Sequence, residues 1–467
     1  MAISSPSRSD AAIRRTVQQL APGAWDFADA DTKDWTHGYH SYPAMMIPPV
    51  ARSLIALIQH HQPAIRTLFD PFMGSGTSLV EGLLAGLSVH GSDLNPLSRL
   101  ITQAKTTAWD PERLEALAQH VFMTAEYATV TPDDWPDFDH LTFWFKPRVI
   151  DDLVRIKRAI HTVVPPSWQP FFWVAFSDTV RWVSNSRHAE FKLYRLDPAR
   201  LARWNPDVLE TFAKIVQRNQ IGNAALDARR PLPSVTLYGH NAMHLADIAD
   251  ETFDLMVTSP PYGDSRTTVA YGQFSRLSLQ WLDLSEADNA PPVNKLDQAL
   301  LGGVAVPQLD HALPSPTLTA SLAFIAQQDT GRAREVLAFY RDLDHALKEI
   351  ARVMRPGSYQ CWVVGNRTVK QVQLATDQII TELSAPYGVI PVVHYTRTIP
   401  HKRMPRANSP TNRAGATGAT MTGEQIVILR KASLHNQSPA DFPASIAGFF
   451  CVAYRLRSHR WTGLVSL

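Results

Sequence analysis

Leu68-Phe69-Asp70-Pro71-Phe72-Met73-Gly74-Ser75-Gly76-Thr77 reads as the end of a buried strand, a tight glycine turn and the start of a helix. A residue without Cβ carries no steric penalty at a sharp bend, so the two glycines let the backbone turn and approach a ligand closely. Thr77 and Ser78 open a helix through Leu79, Val80, Leu83 and Leu84, and Gly86 suits its C-terminal end. Two better-known glycine loops do not fit. A phosphate-cradling loop needs a lysine after its last glycine, where this chain has Thr77, and a dinucleotide fingerprint needs a third glycine at position 79, which is leucine. A second strand follows, Ser88-Val89-His90-Gly91-Ser92, closing on Asp93. An acid at the tip of the second parallel strand can accept hydrogen bonds from both hydroxyls of a ribose. The combination suits a nucleoside that brings no pyrophosphate.

Asp70-Pro71-Phe72-Met73-Gly74-Ser75-Gly76-Thr77, followed by Gly91-Ser92-Asp93-Leu94-Asn95-Pro96, resembles the S-adenosylmethionine (SAM) site of the DNA amino-methyltransferases. That resemblance implies a catalytic turn at the end of a later strand. Thr258-Ser259-Pro260-Pro261-Tyr262 supplies it, directly after Phe253-Asp254-Leu255-Met256-Val257. Each motif alone is short enough to recur by chance; two, each at a strand end, make a specific pair. The resemblance implies SAM as cofactor, held by Asp70, Pro71, Phe72, Gly74, Ser75, Gly76, Thr77, Asp93 and Leu94. It also places a segment upstream of the glycine loop over the methionine end of SAM. Tyr42 and Pro43, within Thr36-His37-Gly38-Tyr39-His40-Ser41-Tyr42-Pro43-Ala44-Met45-Met46, are the expected contacts. The turn after Ser234-Val235-Thr236-Leu237-Tyr238 contributes a polar adenine contact in this family, often an aspartate; the matching residue here is Asn241.

The implied chemistry explains the turn. An exocyclic amine is a poor nucleophile because its lone pair is delocalised into the base. Acceptors on either side, the Ser259 side chain and the Pro260 carbonyl, draw its hydrogens out of plane and aim the lone pair at the sulfonium methyl, while Pro260 and Pro261 set the backbone in advance. Transfer is then direct and in line. Tyr262 offers a flat face to a flipped base; stacking returns roughly 1 to 3 kcal/mol against an unstacking cost of a few. Methylation at cytosine carbon needs a thiolate, usually Pro-Cys, whereas Cys361 follows Gln360 and Cys451 follows Phe450. Serine at the first motif position resembles the cytosine-N4 subgroup more than the adenine-N6 one.

At 467 residues the chain is long for one domain and predicts a catalytic domain with insertions. Two cysteines argue against a disulfide framework and for a reducing, cytoplasmic setting, and no apolar run is long enough to span a membrane. A net charge of +2 leaves a nucleic-acid partner to local basic patches. One is Arg181 to Arg203, with Arg187 and Lys192; another is the acid-free stretch Arg397 to Arg413, with Arg397, Lys402, Arg403 and Arg406; Arg266, just past the catalytic turn, is a third contact. His37 and His40 read as core or solvent histidines with no third metal ligand nearby. The aromatic runs Phe143-Trp144-Phe145 and Phe171-Phe172-Trp173 read as core.

The expected fold is α/β: a doubly wound, mostly parallel seven-stranded Rossmann-like methyltransferase sheet with an antiparallel C-terminal hairpin and helical insertions. Its parts are a loosely ordered arm (1–35), a SAM-binding half (36–104), a helical insertion that is the candidate target reader (105–232), a catalytic half (233–282), a second insertion or mobile loop (283–330), the rest of the sheet with the basic loop 397–413 (331–431), and a C-terminal extension (432–467). Duplex DNA with a flipped base is the expected substrate, with a restriction nuclease as partner class. Adenine-N6 methylation, guanine-N2 methylation of RNA, and non-catalytic binding of SAM or DNA are the competing readings.

Overall fold

In the computed structural model the described residues are 7–188, 190, 192–264, 268–282, 284, 290–309, 312–400, 407–408, 418–419 and 423–433. Seven strands form one sheet: β1 (Thr67–Asp70), β2 (Ser88–Ser92), β3 (Val235–Tyr238), β4 (Phe253–Thr258), β5 (Met354–Val364), β6 (Val389–Thr398) and β7 (Gly423–Lys431). Their order is β3-β2-β1-β4-β5-β7-β6. The first five pair in parallel, and β7 runs antiparallel to both β5 and β6. This is the Rossmann-like methyltransferase fold, with β6 and β7 as the expected hairpin.

Period-two alternation sorts side chains to the two faces of the sheet. In β7, Ile426 and Ile428 join Cys361 and Val363 of β5 beneath the helices Arg8–Gln18, Pro48–His61 and Thr77–Leu84. Val427 and Leu429 join Trp362 and Val364 on the other face, under the helices Thr330–Val353 and Thr376–Ser384. With both faces covered, Leu68-Phe69 of β1, Leu255-Met256-Val257 of β4 and Cys361-Trp362-Val363-Val364 of β5 are buried as continuous apolar runs.

The structure corrects one expectation and fills in two others. Part of the N-terminal arm is docked: Ser7 caps the helix Arg8–Gln18 in a capping box with Asp10, and Ile13 and Val17 are buried. Asp10 also accepts hydrogen bonds from Tyr359 (2.7 Å) and Arg430 (2.9 Å), tying the helix to β5 and β7. The second insertion is packed where it is described, with the helices Leu296–Ala299 and Pro316–Gln328 burying Leu296, Leu318 and Ile325. The helical insertion does not stand apart either. Its helices Pro111–Tyr127, Pro147–Val163, Gln169–Val183 and Val208–Asp227 share one core with Leu97 and Ile101 beside the cofactor loop and with Phe274 and Trp281 beyond the catalytic turn. Phe145, Phe171 and Phe172 are buried in that core, while Phe143 remains partly exposed.

Candidate active site

Parallel strands deliver their carboxyl ends to one side of the sheet, and the loops after β1, β2, β3 and β4 meet there. Leu68 and Phe69 pair with Leu255 and Met256, which sets Asp70 beside Thr258 although 188 residues separate them. Thr258 Oγ1 donates to Asp70 Oδ1 at 2.6 Å, and the Phe72 amide donates to the same oxygen at 3.0 Å. Ser78 donates to the other carboxylate oxygen. Burial pushes the Asp70 pKa up to about 6 against these three donors. Asp70 therefore lines the pocket and also joins the two motif loops to each other.

The pocket between the loops is a solvent-connected cleft, with about 880 Å³ of space between protein atoms once the open solvent at its mouth is included. Tyr42, Pro43, Asp70, Pro71, Phe72, Gly74, Ser75, Thr77, Asp93, Leu94, Asn241, Ser259 and Pro261 all line it. Gly76 does not, but shapes the loop: its φ is +74°, and a Cβ there would meet Thr102 Cγ2 at 2.7 Å. A Cβ on Gly74 (φ +48°) would meet the Tyr42 ring at 3.5 Å, and the Gly74 amide donates to Asp93 Oδ2 at 3.0 Å. Asn95 N donates to Asp93 Oδ1 at 2.8 Å, which fixes the carboxylate at the mouth of β2. The loop is held from below by Lys105, whose buried ammonium donates to the Ser75 carbonyl at 2.6 Å. Burial lowers the Lys105 pKa to about 7.

These features fit SAM. A carboxylate at a strand tip faces the cleft for a ribose, a glycine turn leaves space beside it, and Phe72, Leu94, Ala242 and Leu301 offer an apolar wall for an adenine. Asn241 lines the cleft, but its amide already donates to the Ala299 carbonyl (3.3 Å) and accepts from the Met243 amide (3.1 Å), bracing its own turn.

Tyr42 is positioned by Asn95 Nδ2 (3.2 Å to the phenol) and stacks on Tyr271 at 6.0 Å between ring centroids. Tyr271, Met45, Met46, His240, Leu300 and Leu301 also line the cleft and were not among the residues singled out from sequence. Met45 and Met46 adjoin Tyr42-Pro43 and were findable by position. Leu300 and Leu301 carry no local signal.

At the catalytic turn, Ser259 and Pro261 face the cleft. Tyr262 follows them: its hydroxyl is 3.4 Å from Ser259 Oγ and donates to Glu424 Oε1 at 2.9 Å. The turn is held on its far side by Asp264, buried between Arg367 (3.1 Å) and Arg332 (3.5 Å). Cys361 sits inside β5, where burial raises its thiol pKa, so it offers no thiolate.

Of the basic residues, Arg187 is exposed on a hairpin-like turn closed by the Ser186–Arg195 bridge, with its guanidinium 5.8 Å from the Tyr194 ring. Lys192 lies on the same turn within electrostatic reach of Asp297. Arg397 corrects its expectation. It is buried, paired with Glu424 and donating to the Trp25 (2.8 Å) and Asp26 (3.1 Å) carbonyls, so it offers nothing to a phosphate. Arg181 is likewise buried, over the Phe274 ring. Arg266, Lys402, Arg403, Arg406 and Cys451 lie outside the described residues. Beside His37, Asp34 and Glu81 do gather, but the Arg52 guanidinium bridges both carboxylates at 2.8 Å and is the cation of that cluster.

The chain is 47% identical over 424 residues to the type II methyltransferase M.MvaI of Kocuria varians, a match spanning 86% of this chain and 93% of that relative. The chain belongs to the type II methyltransferases. This is the DNA amino-methyltransferase family that its two motifs resemble, and S-adenosylmethionine is its methyl donor. A second type II methyltransferase, M.MjaII of Methanocaldococcus jannaschii, is 28% identical over 116 residues, 24% of this methyltransferase and 21% of that one. Among solved structures, the rRNA methyltransferase aviRa of Streptomyces viridochromogenes aligns over 88% of this chain and 97% of its own, at 11% identity and a TM-score of 0.34. No family model matches. Among the described residues, no helix is long and apolar enough to cross a membrane.

Proposed function

We propose that this type II methyltransferase moves the SAM methyl group to an exocyclic amine of a flipped base in duplex DNA, with N4 of cytosine as the acceptor. The observation that carries the reading is the Thr258–Asp70 hydrogen bond, which sets the SAM-type loop and the Ser-Pro-Pro-Tyr turn on one cleft. Gly74, Ser75, Asp93, Tyr42 and Pro43 would hold SAM, with Gly76 shaping the loop; bound there, SAM would supply an electrophilic methyl carbon. Ser259 Oγ and the Pro260 carbonyl accept the two amine hydrogens and aim the nitrogen lone pair. The Tyr262 ring stacks on the base, while Arg187 and Lys192 meet phosphates together with Arg266, Lys402, Arg403 and Arg406. The chain between Thr398 and Gly423 leaves the sheet next to this turn, since Glu424 contacts Tyr262.

Serine at position 259 favours cytosine over adenine by its resemblance to the N4 subgroup. The deciding experiment is methyl transfer from labelled SAM to duplex DNA, followed by nucleoside analysis. N4-methylcytosine is the expected product; N6-methyladenine overturns the base assignment, and no modified base overturns the DNA reading. Ser259→Ala is expected to retain SAM binding and lose transfer by about 100-fold or more.

A further inference from the structure

A methylated exocyclic nitrogen is a cation until it loses a proton, and the turn that activates it holds no base strong enough to keep one. Serine is a neutral hydroxyl and the Pro260 carbonyl an amide oxygen, and neither holds a proton in neutral solution. A carboxylate arrives instead from β7. Tyr262 donates to Glu424 Oε1 at 2.9 Å and stands 3.4 Å from Ser259 Oγ, a spacing of the long kind that closes up in a reactive complex.

The groups around Glu424 suit an acceptor. Arg397, directly across the β6–β7 ladder, binds its other oxygen and is itself fixed by the Trp25 and Asp26 carbonyls, which leaves Oε1 aimed at Tyr262. The Asp26 carboxylate is turned to the Thr398 amide at 2.7 Å. Burial, with Glu424 adding to it, raises the Tyr262 pKa, so the phenol stays a neutral donor.

Resting on the amine-methylation reading above, we propose that Ser259, Tyr262 and Glu424 form a proton path, with Glu424 the positioning residue at its end that receives the amine proton. The nitrogen lone pair forms the bond to the methyl carbon as the carbon–sulfur bond breaks and leaves its electron pair on sulfur. One N–H proton passes to Ser259 Oγ, the serine hydroxyl proton passes to Tyr262 Oη, and the tyrosine proton passes to Glu424 Oε1. Serine and tyrosine end as neutral hydroxyls and the proton rests on the carboxylate. Such an aminium is a far stronger acid than a carboxylic acid, so an arginine-paired carboxylate suffices.

The test measures single-turnover methylation of duplex DNA in the full chain, with SAM and DNA dissociation constants taken separately. Glu424→Gln, whose amide oxygen still accepts from Tyr262 but takes no proton, and Tyr262→Phe, which keeps the stacking ring, are each expected to slow transfer roughly 10- to 100-fold. Both dissociation constants should stay within about twofold. The double variant should be no slower than the slower single, because both break one path. Glu424→Asp, which keeps the acceptor, should recover part of the rate. Should Glu424→Gln fail to fold with Arg397 left unpaired, the pair E424Q/R397M removes both charges and is expected to show the same loss. Wild-type rate in Glu424→Gln, or losses that multiply in the double variant, overturns the path. A wild-type chain that methylates no DNA amine overturns the functional reading and this path with it.

Discussion

Asp70 and Asp93 are both acids at strand ends, yet their surroundings give them different work. Asp93 keeps its carboxylate at the cleft with two backbone amides behind it. Asp70, deeper in the same cleft, is held by the hydroxyls of Ser78 and Thr258 and by the Phe72 amide. The strand-tip position of Asp93 was readable from spacing. The hold of Thr258 on Asp70 was not, because Thr258 comes beside it only through the pairing of β1 with β4. Its pKa of about 6, above the ordinary value near 4, makes a signed expectation. A carboxyl whose folded pKa is raised contributes stability below the unfolded pKa and loses it as pH climbs through the folded one. Between about pH 4 and 6.5 the wild type should lose on the order of 3 kcal/mol that Asp70→Asn keeps, so the difference between their denaturation curves should move steadily in favour of the variant across that window. A difference that is flat with pH would contradict the burial of this charge.

Among the elements, the glycine loop has the least room. Gly76 sits in left-handed backbone with Thr102 against the place of a Cβ, so Gly76→Ala meets a conformational penalty and a steric one together. The expected cost is about 1 to 3 kcal/mol of stability, with SAM affinity weakened about tenfold or more, both read by thermal melts and calorimetric titration with SAM. Adding Thr102→Ala should relieve the clash and recover part of the stability, leaving the backbone penalty in place. The loop, its helix and β1, β2 and β4 were legible because strand, turn and helix signals coincide within a few residues. The helix Arg8–Gln18 was not. Its composition is polar, and only Ile13 and Val17 mark the face that packs against the sheet. What secures it, Asp10 against Tyr359 and Arg430, comes from residues more than 300 positions away. The packing of Leu301, Val306, Leu318 and Ile325 was hidden in the same way, since they find their partners on the helix Thr330–Val353.

For the whole molecule, the helical insertion reaches from the cofactor side to the catalytic side through one core, which puts the exposed hairpin around Arg187 and Lys192 on the body that carries Tyr42 and Tyr271. Replacing both basic residues by alanine should weaken DNA binding almost equally for all sequences. The slope of log affinity against log salt should become shallower by about two, measured by titration at several salt concentrations. An unchanged slope would move the phosphate contacts elsewhere. The mostly parallel seven-stranded sheet with its antiparallel hairpin was expected from the motifs as a family property, whereas the merging of insertion and sheet into shared cores could not be read from a local pattern of helices. The central pairing of β1 with β4 also sets a timetable for synthesis. The ribosome delivers the glycine turn early and its neighbouring strand nearly 190 residues later, so long-range pairing has to wait for distant chain. A nascent polypeptide arrested before residue 258 would expose an unpaired edge on β1 and an open Asp70; the cofactor cleft is thus born complete only once the chain has been made past Leu301.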